Sequence, residues 1–96
     1  MVSKERILQI FLDVVGKSSR TWTIVEESTT VFALVAEDSG GSHASQARIE
    51  THQGHYPLKI VFENPIIPEL MILSEEDLRI KLSSLRVFEG FRDLTC

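Results

Sequence analysis

Residues 44–63 read as a hairpin whose two arms alternate strictly around Gln53-Gly54. That alternation constrains the fold more than any other stretch of the chain. Pairing Glu50 with Pro57 and Arg48 with Lys59 sorts the side chains into two sets. One set holds Ser45, Ala47, Ile49, Thr51, Tyr56, Leu58, Ile60 and Phe62. The other holds Gln46, Arg48, Glu50, His52, His55, Pro57, Lys59, Val61 and Glu63. A period of two on both arms belongs to an antiparallel sheet with one buried face, which the rest of the chain must cover. Proline has no N–H to donate, so the spacing predicts a four-residue loop over 52–55. In that register Glu50 and Pro57 form a non-hydrogen-bonded pair, on a strand that is an edge or overhangs its neighbour.

The covering elements lie on either side of the strands. Ser3 suits a helix N-cap. Ile7, Leu8, Phe11, Val14 and Val15 follow at spacings of three and four, and Gly16 suits the helix end. Ile10 and Leu12 widen the apolar stripe beyond what one sheet face requires. Residues 21–27 and 30–37 alternate as strands, and the second is apolar on both sides through Val31, Ala33 and Val35, which places it inside the sheet. Residues 38–43, with Ser39-Gly40-Gly41-Ser42, read as an exposed loop. Residues 64–68 form an apolar connector with two prolines, and 69–73 a short fifth strand. Ser74 followed by Glu75-Glu76-Asp77 starts a second helix, with Leu78, Leu82, Leu85 and Phe88 as its stripe. Gly90 is the expected stop, after which Phe91 and Leu94 dock back. The predicted architecture is a single α+β domain over residues 1–96. It is an antiparallel four- to five-stranded meander sheet with an N-terminal and a C-terminal helix packed on one face. Its element order is similar to that of secretion-chaperone-like folds, toxin immunity proteins and viral inhibitors of bacterial defence, with no motif in common.

Composition narrows the function classes. The net charge is −4 and the ten basic residues are scattered, so nucleic-acid binding is disfavoured. A single cysteine, Cys96, leaves no intrachain disulfide, and no apolar run approaches a membrane span. No basic segment followed by an apolar one marks a signal peptide. The expectation is a cytoplasmic protein without a cofactor.

Chemistry-bearing clusters are few. His52 and His55 flank the hairpin turn and suit zinc, nickel or copper, with Glu50 or His43 as further ligands. The same histidines with Arg48 or Lys59 have the residue types of a metal-independent nuclease. Both readings compete with a plain polar turn. Ser39-Gly40-Gly41-Ser42-His43 lacks the strand–elbow–helix setting of a catalytic serine, and Cys96 lacks surroundings that would lower its pKa.

The remaining feature is apolar. Val31, Ala33, Val35 and Val61 share the sheet face opposite the helices, with Glu26, Glu37 and Asp38 as an acidic rim. Such a strip suits a protein partner, with a basic surface opposite the rim, or a homodimer through the face or an edge strand. The competing expectation is that the tail or the 65–68 connector covers it. The sequence therefore reads as a small acidic, non-enzymatic binding module: an inhibitor, an immunity factor or a chaperone-like adaptor.

Overall fold

The computed structural model describes residues 2–16 and 18–95, with side chains through Arg92. Leu94 and Cys96 therefore lie outside the described side chains. Helix α1 (Lys4–Val15) begins where Ser3 Oγ accepts the Arg6 N–H at 3.1 Å. It ends at Gly16, whose φ of 75° is the left-handed turn that favours glycine. Five strands follow: β1 (Thr21–Glu26), β2 (Val31–Glu37), β3 (His43–His52), β4 (His55–Phe62) and β5 (Leu70–Ile72). Every neighbouring pair is antiparallel and the spatial order is β1-β2-β3-β4-β5. The meander is complete, and β2, apolar on both sides, lies in its interior. Helix α2 (Glu75–Ser84), a 3₁₀ turn (Leu85–Val87) and helix α3 (Glu89–Thr95) close the chain.

One sheet face and the helices make the core. Trp22, Ile24, Phe32, Leu34, Ile49, Leu58, Ile60 and Phe62 bury against Ile7, Ile10, Phe11, Val14, Leu78, Leu82 and Leu85. Phe11 meets Trp22 edge-on at a centroid distance of 4.9 Å, and Phe91 meets Phe62 at 6.2 Å. Ion pairs Arg6–Glu75 at 3.1 Å and Asp13–Arg79 at 3.3 Å join α1 to α2.

The hairpin differs from expectation in its loop and register. His52 lies opposite His55, so the loop is the two residues Gln53-Gly54, with φ of 51° and 77°. Two positive φ values in succession make a type I′ turn, whose twist matches the flanking strands. Further along, Glu50 faces Lys59 and Arg48 faces Val61, two residues from the expected pairing. The ladder is interrupted where Tyr56, Pro57 and Leu58 pass Thr51, and the Tyr56–Pro57 peptide is cis. Proline cannot donate to the ladder, and the strand bulges around it instead of holding a regular pair. A displacement of two keeps every side chain of β4 on its expected face. Pro57 does overhang: β5 pairs β4 only over Leu58–Ile60.

A second bulge sits in β3. Leu34 faces Ala47 while Val35 faces Ser45, leaving Gln46 as the extra residue. Ser45 thereby moves to the face opposite the one that alternation alone assigns it. Gly90 is likewise not a stop but lies inside α3. A Cβ there would come within 2.6 Å of Asn64 Nδ2, so glycine permits α3 to approach the connector. The connector packs on the helix side, with Ile67 buried and Ile66 exposed.

Candidate functional site

The face opposite the helices is built by period-two geometry from all five strands. Its central row runs Val25–Ala33–Arg48–Val61 across β1 to β4. The next row runs Val31–Glu50–Lys59–Met71 across β2 to β5, and Val35 lies between Thr23 and Ser45 on the other side. Val25 is 48% exposed and Met71 51%, whereas Val31, Val35 and Val61 are half-buried. Ala33, the smallest residue of the set, is only 4% exposed. Its methyl is the floor between taller neighbours. Neither Ile67 nor Phe91 covers this face, because both belong to the helix-side core.

Charges on the face are mixed. Arg48 pairs with Glu50 at 3.6 Å and Lys59 with Glu69 at 3.7 Å. Glu50 and Lys59 are directly opposite, yet Glu50 is engaged by Arg48 on its own strand and Lys59 by Glu69 just before β5. These pairs are well exposed, so they order side chains more than they stabilise the fold. Of the expected rim, Glu37 shares the face, opposite Thr21 and His43. Asp38 is turned into its own loop, where Oδ1 accepts the N–H groups of Gly40 at 2.9 Å and Ser42 at 3.0 Å. Glu26 lies opposite Phe32, so it belongs to the helix side and lines a depression of about 460 Å³ with Lys4, Gln53 and Phe32. The three acids do not form one rim.

The histidines separate into a pair and a single residue. His52 and His55 face each other beside the type I′ turn, both exposed. His43 starts β3, about 30 Å along the strand from His52, so it cannot join them. Glu50 shares the face of His52 but pairs with Arg48. Among the described residues no group of three histidine, cysteine or acidic side chains is placed to hold a metal ion. Glu50, His52, Pro57, Lys59 and Met71 line an open depression of about 280 Å³. Met71 is the face residue that sequence reasoning missed, because a three-residue strand carries too little pattern to set its register.

Tyr56 and Asp77 stand apart from their ordinary values, and both belong to the scaffold. Partial burial, with the nearby Glu75 carboxylate, raises the Tyr56 hydroxyl above its usual 10.0, and Arg6 opposes the shift. The Leu73 N–H, donating at 2.8 Å, and Lys81 hold Asp77 below its usual 3.8. No described helix is long and apolar enough to cross a membrane. Comparison of the chain with family models, with curated proteins and with solved structures finds no match.

Proposed function

We propose that this chain is a non-enzymatic binding module that docks another protein on the open sheet face, as an inhibitor, immunity factor or adaptor does. One observation carries the reading. The helices and the connector all pack on one side of a five-stranded sheet, and the other side presents valines on β1, β2 and β4 with the Arg48–Glu50 ion pair set between them on β3. Apolar side chains interleaved with ion-paired charges give the mixed apolar and polar surface of a non-obligate protein interface. The charges of this face are of both signs, so the acidity of the chain does not by itself select a basic partner. The depressions beside it are shallow and open, which suits a surface contact better than a site that must exclude water around a reacting bond.

The test is affinity capture from the native host with immobilised wild type, Val61→Asp and Ile80→Asp. Arg48 lies opposite Val61 and offers an introduced carboxylate a partner, so the fold is kept. Ile80, 61% exposed on α2, is the control on the other side. A protein retained by wild type and Ile80→Asp but lost with Val61→Asp supports the reading. Retention that ignores Val61→Asp removes it.

A further inference from the structure

The two edges of the sheet are treated differently. Strand β5 is three residues long and follows Pro65 and Pro68. Lys81 Nζ donates to the Met71 carbonyl, and Asp77 accepts the Leu73 N–H. A short strand fringed by prolines and met by charged side chains is a blunted edge. Strand β1 has none of these devices: six residues, with no proline and no lysine. Its hydrogen-bond phase follows from the adjoining turn, where the Glu27 N–H donates to the Val31 carbonyl at 2.9 Å. Alternation then turns Thr21, Thr23 and Val25 toward β2, and leaves the N–H and C=O groups of Trp22, Ile24 and Glu26 pointing outward.

A second observation lies above that edge. Arg6 and Asp13 on α1 hold α2. The opposite flank of α1, on the β1 side, carries Leu8, Leu12 and Val15 at spacings of four and three. Leu8 and Val15 are partly buried and Leu12 is 36% exposed. Of the two residues that widen the stripe, Ile10 is fully buried in the core and Leu12 is left on this flank.

We infer that the partner of this edge is a second copy of the chain, paired antiparallel through β1 so that the sheet runs on across a two-fold axis, with the two α1 flanks meeting above the junction. The segment is self-complementary. Thr23 is its centre, with the core-side Trp22 and Ile24 one place to either side and the exposed Thr21 and Val25 two places away. Centring the axis on Thr23 places Trp22 of each copy opposite Ile24 of the other, both with outward N–H and C=O groups, and Thr21 opposite Val25. Residues that face each other then share a side of the sheet, as antiparallel pairing requires. The contact joins the edges and leaves the open face free for its own partner.

Sedimentation equilibrium on wild type, Leu12→Glu, Thr23→Lys, Thr23→Glu and an equimolar mixture of the two Thr23 variants tests this, with circular dichroism confirming the fold of each. Wild type is expected to be a dimer. Leu12→Glu and each Thr23 variant alone should weaken it about tenfold or more, because the axis sets like charges face to face, and the mixture should recover most of the loss. A wild-type monomer overturns the inference, as does a dimer indifferent to Leu12→Glu and Thr23→Lys. A dimer weakened by both Thr23 variants and not restored in their mixture overturns the register.

Discussion

Ala33 stands opposite Arg48 across β2 and β3, and it is 4% exposed on a face that no helix covers. Its neighbours on that face are Val25 and the 58% exposed Arg48 side chain across the strands and Val31 and Val35 along β2, all larger than its own methyl group. Ala33 is therefore scaffold, and its neighbours are the contact surface. Ala33→Asp is expected to destabilise the monomer by about 1–3 kcal/mol, because it buries a carboxylate between valines with one exposed cation to meet it. Ala33→Val should cost less than about 1 kcal/mol, and Val61→Asp should be close to neutral. Urea denaturation of the three variants separates floor from surface.

The type I′ turn makes a prediction of opposite sign at its two positions. Gln53 has φ of 51°, a region that asparagine visits more readily than glutamine. Gln53→Asn should raise stability by a few tenths of a kcal/mol, about the scale of turn optimisation. Gly54, at 77°, should lose about 1 kcal/mol or more on conversion to alanine. Thermal melts of both variants against wild type check the pair.

Tyr56 sets an alkaline limit. Its folded pKa is raised, mainly by burial. The stabilisation that it contributes is whole below the unfolded value of 10.0 and falls as pH rises from there through the folded value. Tyr56→Phe should flatten that decline while leaving neutral-pH stability nearly unchanged. Denaturant midpoints measured from pH 8 to pH 11, about the span of the phenol titration, give the answer.

The start of α2 sets an acid limit. Asp77 is held low by the Leu73 N–H and by Lys81, so its contribution is present above 3.8 and disappears as pH falls through the depressed folded value. The stability gap between wild type and Asp77→Asn should close on acidification. Ser74 accepts the Asp77 N–H at 3.1 Å, and Ser74→Ala should cost about 1 kcal/mol at any of these pH values.

The meander and both helices were legible because their signals are local: Ser3 and Ser74 cap, Gly16 ends, and Trp22, Ile24, Phe32 and Leu34 alternate. What sequence could not supply was irregularity. The bulge at Gln46 reverses Ser45 although no residue there announces it, and Pro57 warns of a broken ladder without saying how the chain passes it. Of the site, the valines are on the expected face because parity survives a two-residue slip. Glu26 shares the parity of Trp22 and Ile24, which places it with them on the helix side. Whether the connector covered the valines depended on where Ile67 docks, a long-range matter that periodicity does not carry.

The two bulges lie near opposite ends of β3, at Gln46 and beside Thr51. Each adds right-handed coil to a ribbon that is already twisted. A sheet twisted in this way presents a curved surface to its partner, not a flat one. A surface that fits it must itself be curved, so its shape discriminates against the flat stacked strands of aggregated protein.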